Sequence, residues 1–227
     1  MKLRKTLALI LALAVSVTWC LADVEEDTSE FESEEVAEWV YQPEDEDAGE
    51  DEAAETEPET PLAIPFPDVS ASSDYAQAVV KLAEKGIITG DPLGNFNPDA
   101  SITRAETAAI ICRLMGVDDE AKYAWNQTYS DVSGHWAEGY ITKATELGVF
   151  NGDGAGNFRP YDNVTYEQII KILVCVRGHE SEAQRNGGWP NGYIAVAKEL
   201  GITNGVRIDP KANAPRSAVA QFIYNVI

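Results

Sequence analysis

The sequence predicts a mainly all-α body made of three helix–turn–helix copies, preceded by an export signal and an acidic segment without stable structure. Three observations carry this prediction. One residue pattern occurs three times after Phe66. In every copy a helix-length stretch ends at a glycine, and in every copy a proline stands five residues ahead of a second helix start.

The first 22 residues read as an address. Lys2, Arg4 and Lys5 precede an apolar run from Leu7 to Val17, and Ala22 opens onto acid, so cleavage is expected between Ala22 and Asp23. The run is about a dozen residues, short of the roughly 20 that span a bilayer, and no membrane span is expected after cleavage. The alternative makes Cys20 a lipid-modified N-terminus, which bulky Trp19 just before it fits badly.

Residues 23–64 read as an acidic, disordered linker. Of the net charge of −21, the stretch 23–59 contributes 19 acids and no base, whereas the residues beyond it hold 14 bases against 19 acids. Its apolar content is too low to offset the entropy of ordering the chain. Nucleic acid and anionic membrane would both repel such a tail, so neither is expected as a partner. Phe31, Val36, Trp39, Val40 and Tyr41 form an apolar island inside it, read either as residual local structure or as a short docking peptide.

The three copies span 65–124, 125–180 and 181–227. Phe66-Pro67-Asp68-Val69 opens the first and Tyr129-Ser130-Asp131-Val132 the second. Each first helix ends at Gly86, Gly148 or Gly201, where a left-handed C-cap is wanted. A turn follows, Gly90 to Phe96 in the first copy and Gly152 to Phe158 in the second, shortened in the third to Gly205 to Asp209. Next come Pro98, Pro160 and Pro210. Two of the second helices start with capping-box spacing, Thr103 with Glu106 and Thr165 with Gln168, and the third starts at Pro215. Behind these starts apolar residues recur at helical spacing, among them Ile111, Met115, Ile169, Leu173, Val219 and Phe222, and the last helix is expected to run to Ile227. One helix pair cannot bury such a face alone, so the copies are expected to pack into one body.

These motifs in this order resemble S-layer homology domains: the aromatic-x-Asp-Val opening, His135-Trp136-Ala137 entering a helix, the Gly-Ile-x-x-Gly turn, Asn-Phe-x-Pro, and Thr103-Arg104-Ala105-Glu106. The resemblance covers 66–227. It implies a pseudo-threefold bundle whose grooves hold a secondary cell-wall polysaccharide of Gram-positive bacteria, often carrying pyruvate ketals on N-acetylmannosamine. It also implies a cell-wall or S-layer location and non-covalent anchoring. The contacting residues it implies are Arg104 and Glu106 from the first copy, Tyr166 and Gln168 from the second, Arg216 from the third, the tryptophans Trp136 and Trp189, and the turn residues Gly152 and Asp153. There are departures: Asp74-Tyr75 replaces His135-Trp136 in the first copy, Tyr166 replaces Arg104 in the second, and Ala218 replaces the acid in the third.

The arginines carry their own argument. A cation in the first turn of a helix opposes the macrodipole at about a few tenths of a kcal/mol. An anion over the helix end would compensate, met there by free amides and the guanidinium; the alternative is that each arginine lies over a neighbouring acid. Trp136 and Trp189, each 12 residues before a helix-ending glycine, either offer a flat face to a sugar or close the fold onto its core. Gly152 to Asn157 lacks calcium-loop ligand spacing and reads as a turn. His135 and His179 accompany no recognisable nucleophile or metal set, so no enzyme activity, cofactor or metal is expected. Cys112 and Cys175 read as small core residues on buried helical faces. Other envelope proteins are the alternative partners, through a structural role that involves no polysaccharide.

Overall fold

A computed structural model describes residues 63–125 and 128–227. The expected signal, the lipidation alternative and nearly all of the acidic segment, with its apolar island, lie outside the described residues. Within them the all-α expectation holds. The helices are α1 (Ala76–Glu84), α2 (Arg104–Leu114), α3 (Asp118–Ala121), α4 (Glu138–Glu146), α5 (Tyr166–Val176), α6 (Glu180–Arg185), α7 (Asn191–Glu199) and α8 (Arg216–Tyr224). The last helix stops at Tyr224, short of the expected Ile227, because Asn225 caps it.

The helix boundaries follow local chemistry. Gly86, Gly148 and Gly201 have φ of 67, 71 and 72°, and the amides after them return to the last turn, as in Ile87 N–H to Leu82 O at 2.9 Å. At the start of α2, Glu106 N–H donates to Thr103 Oγ1 at 3.2 Å and Thr103 N–H to Glu106 Oε2 at 2.8 Å. At the start of α5, Thr165 N–H donates to Gln168 Oε1 at 3.0 Å.

The pairs α1/α2, α4/α5 and α7/α8 close into a cycle, with α2 packed on α4, α5 on α7, and α8 on α1. At the centre the backbone forms a ring of its own. Ile102 N–H donates to Ala214 O, Ala214 N–H to Val164 O, and Val164 N–H to Ile102 O, at 3.0, 2.8 and 3.0 Å, and all three residues are buried. The amides that open α2, α5 and α8 continue the pattern: Ala105, Glu167 and Ser217 donate to Pro160 O, Pro210 O and Pro98 O. The three prolines are thus the acceptors that each helix start finds on its neighbour.

Two further devices were not anticipated. Asp68 accepts from the amides of Phe96 and Asn97 at 2.8 and 2.6 Å, and Asp131 from those of Phe158 and Arg159 at 2.8 and 2.7 Å. This clamp holds Asn97 and Arg159 at φ of 57 and 61°, a conformation unfavourable for side-chain-bearing residues, and turns Phe96 and Phe158 into the core. The aromatic-x-Asp-Val opening exists to supply it. The other device is the pair of short helices α3 and α6, which pack on α4 and α7 so closely that a Cβ at Gly139 or Gly192 would run into the carbonyl of Ala121 or Ala183. At the corresponding place in α1 stands exposed Gln77.

Of the cysteines, Cys112 is buried as expected. Cys175 is only half-buried, because it packs against the core on one side and borders a groove on the other, and both are free thiols.

Candidate functional site

Three related grooves run along the seams between helix pairs. The first, of about 600 Å³, is built around Arg216 with Thr89, Asp91, Glu106, Trp136 and Tyr161. The second, of about 370 Å³, holds Arg104, Asn151, Gln168, Lys171, Glu180 and Trp189. It adjoins an outer recess lined by Gly152, Asp153 and Arg159. The third, of about 250 Å³, holds Asp74, Tyr75, Tyr166, Arg207 and Ala218.

Each groove takes its parts from all three helix pairs. Arg216 comes from α8, Glu106 from α2 and Trp136 from the turn before α4. In the next groove Arg104 comes from α2, Gln168 from α5 and Trp189 from the turn before α7. By the same rotation the third groove combines Tyr166, Ala218 and Asp74-Tyr75. The three departures seen in three different copies are therefore one event in space: the missing arginine, the missing acid and the missing tryptophan all fall in the Tyr166 groove.

The arginines are held by neighbouring backbone. Arg104 donates from Nε to Phe158 O and from Nη2 to Asn151 O, both at 2.8 Å, with its guanidinium 4.5 Å from the Phe158 ring centroid. Arg216 donates from Nε to Phe96 O at 2.7 Å and from Nη2 to Thr89 O at 3.2 Å, over the Phe96 ring. Here the paths diverge. Arg216 Nη1 also meets Glu106 Oε1 at 2.9 Å, whereas Arg104 has no carboxylate within ion-pair distance among the described residues. Burial pushes the Arg104 guanidinium below its usual range, with the charge of Asp162 the strongest influence acting against that.

Two sequence expectations need correcting. The helix starts were to meet an anion with free amides, but the opening amides are already given to neighbouring carbonyls: Arg104 N–H to Asp162 O and Arg216 N–H to Ala100 O, both at 2.9 Å. The guanidinium is left as the principal charged donor there. The reading of an arginine lying over an acid holds for Arg216 and not for Arg104.

The remaining predicted residues are placed as follows. Trp136 is 60% exposed beside Tyr140 and His135, and Trp189 is 47% exposed beside Tyr193, so both present faces to solvent at groove edges. Tyr166 packs its ring on Phe222. Asp153 organises its turn, accepting from the amides of Ala155 and Asn157 and from Arg159 Nε; those donors hold its carboxyl far below the usual range. Gly152 is needed because a side chain there would strike the Tyr129 ring. Neither Gly152 nor Asp153 lies in the same recess as a tryptophan. Among the described residues no cluster of His, Cys, Asp or Glu is placed to hold a metal. Lys171 and Tyr161 were missed. Setting the three helix starts in register, with Ala109, Lys171 and Gln221 five residues on, would have exposed Lys171.

The family model described as "S-layer homology domain" matches residues 65–108 and 128–170. The chain is 33% identical over 147 residues to a cell surface protein of Thermoanaerobacter kivui, covering 63% of this chain and 19% of that protein. It is 32% identical over 152 residues to a surface layer protein of Brevibacillus choshinensis, covering 64% and 13%. Over 174 residues it is 32% identical to an amylopullulanase of Thermoanaerobacterium thermosulfurigenes, covering 68% of this chain and 9% of that enzyme. The chain thus spans less than a fifth of these relatives, and the likeness is to a module that surface proteins and enzymes share. These matches give a cell-surface, cell-wall location and a module of the wall-anchoring kind. Among the described residues no helix is long and apolar enough to cross a membrane.

Proposed function

We propose that the chain anchors non-covalently to the cell wall by seating a secondary wall polysaccharide in its two tryptophan-bearing grooves, and that 181–227 is a third S-layer-homology copy completing them. The observation that carries this reading is the sorting of residues among the grooves. A helix-start arginine and an exposed tryptophan occur together twice, although they come from different copies, and both are missing from the third groove, whose Arg207 comes from a turn. A packing role for the tryptophans gives no reason for that coincidence. An exposed indole covers the apolar face of a sugar ring, and a fixed guanidinium beside it binds ring hydroxyls or a substituent such as a pyruvate ketal.

One observation favours the alternative of a protein-binding envelope module: Arg216 is satisfied from inside by Glu106. Sedimentation with purified Gram-positive walls, before and after extraction of their polysaccharide, separates the two. Binding that disappears with the polysaccharide, and falls about ten-fold or more in Trp136→Ala or Trp189→Ala, supports the proposal. Retention on extracted walls, or tryptophan variants that bind like the parent, would sink it. Tyr166→Ala is expected to bind like the parent.

A further inference from the structure

We infer that the short helices α3 and α6 position the tryptophans of the two grooves. Asp118 from α3, and Glu180 with Gln184 from α6, fix the hydroxyl of a tyrosine, Tyr140 or Tyr193, whose ring holds Trp136 or Trp189 at one angle to the groove. The inference rests on the reading of these grooves as saccharide sites.

Trp136 and Trp189 are 60% and 47% exposed, so few contacts are left to order either indole. Ordering a side chain at the moment of binding costs affinity, and a platform that orders it in advance removes that cost. Each tryptophan has such a platform four residues on. Tyr140 lies 6.5 Å from Trp136 between ring centroids, with the planes at 59°, and Tyr193 lies 6.2 Å from Trp189 at 63°. The same tilted pair is thus built twice, at a separation where aromatic rings attract. Neither tyrosine lines its groove, so its effect on a ligand passes through the indole.

The groups that fix the tyrosines come from the short helices. Tyr140 Oη donates to Asp118 Oδ1 at 2.7 Å, and the same oxygen accepts from Arg113 Nε at 3.4 Å. Fully buried Tyr193 accepts from Gln184 Nε2 at 2.8 Å and donates from Oη to Glu180 Oε1 at 3.3 Å. A cation lies over each tyrosine ring, Arg113 at 5.3 Å and Lys171 at 5.5 Å. Gly139 and Gly192, immediately before the tyrosines, let the short helices come close enough for these bonds. Counted back from its closing glycine, α1 has Ala78 at the tyrosine's place, Gln77 at the glycine's and Asp74 at the tryptophan's. Tyrosine, close-packing glycine and tryptophan are therefore present together in two seams and absent together from the third. A role in stability alone gives no reason for the tyrosine to be lost with the tryptophan.

The test has two readouts on the full chain. The first is the heteronuclear NOE of each indole N–H without ligand, assigned with Trp→Phe variants. Tyr140→Phe, which keeps the ring and the fold, and Asp118→Ala are expected to loosen Trp136 and leave Trp189 unchanged; Asp118→Asn, which still offers Tyr140 an acceptor, restores the order. The second is sedimentation with purified Gram-positive walls. In the Trp189→Ala background, where the Arg216 groove is the tryptophan groove left, Tyr140→Phe and Asp118→Ala are expected to weaken binding about three- to ten-fold, the range for ordering one side chain on binding. In the Trp136→Ala background the same two changes have no effect. Unchanged order of Trp136 in both variants, or an equal loss of wall binding whether Trp136 is present or absent, overturns the positioning role and leaves the grooves as saccharide sites. If Trp136→Ala and Trp189→Ala themselves bind walls like the parent, the saccharide reading fails and this inference fails with it.

Discussion

Arg104→Ala tests whether the guanidinium is a structural staple as well as a ligand group. The substitution removes hydrogen bonds to Phe158 O and Asn151 O, both at 2.8 Å, and a cation–π contact at 4.5 Å. A hydrogen bond from a charged donor contributes about 1.5–3 kcal/mol, and at a groove wall open to water the lower end applies, so the two contribute about 3 kcal/mol. The ring contact adds about 0.5–1 kcal/mol. Against this, alanine relieves the helix dipole by about a few tenths of a kcal/mol and frees about 1 kcal/mol of side-chain entropy. The net loss is about 2–3 kcal/mol, or roughly 4–12 °C in melting temperature for a body of this size. Scanning calorimetry on the parent, Arg104→Ala and Arg104→Lys measures it, with lysine recovering less than half because one ammonium cannot span both carbonyls. An alanine variant melting within about 2 °C of the parent would refute the staple, since effects that small are typical of a free surface residue.

Other expectations are separately checkable. Gly139→Ala and Gly192→Ala should each cost about 1–3 kcal/mol in urea unfolding by forcing α3 or α6 outward, while Gln77→Ala at the corresponding place in α1 should change stability by less than about 0.5 kcal/mol. Asp68→Ala leaves the Phe96 and Asn97 amides without their acceptor and should lower stability by about 2 kcal/mol, seen as a shifted urea midpoint with unchanged slope. Burial lowers the His135 imidazole below its ordinary 6.5, so the unfolded chain takes up this proton first. Its effect on stability is absent above pH about 6.5 and grows unfavourable as pH falls through that value; ring-proton titration should give a pKa below 6.5, and a higher one would reverse the sign. Iodoacetamide followed by peptide mapping should modify half-buried Cys175 in the native protein and spare Cys112, whose thiol burial pushes up to about 11.

What could be read from the sequence was whatever depends on neighbours along the chain. The C-caps at Gly86, Gly148 and Gly201 and the box at Thr103 and Glu106 involve residues a few positions apart, and their geometry agrees with expectation. The grooves were another matter. Arg216 and Thr89 meet across 127 positions, and Arg216 and Glu106 across 110, so no local pattern shows that one arginine arrives with a counterion and the other without. The departures in single copies were visible, but which groove each one enters depends on how the copies pack, so the sequence does not show that all three fall in one. The amides at the helix starts looked free for the same reason, since their acceptors belong to another helix pair.

The central ring of Ile102, Val164 and Ala214 has a consequence for how such a protein is inherited. In an open array, a duplication adds one more unit to the end and leaves the others intact. A ring closed by three donors and three acceptors has no end: a fourth unit finds no vacant amide, and the loss of one strands a donor and an acceptor in the interior. Because every groove borrows from all three units, recombination cannot transfer a binding site by moving one of them. The segment from Phe66 to the end of α8 is therefore the smallest piece that carries a closed ring and a complete groove, and substitutions in separate units can converge on the same seam.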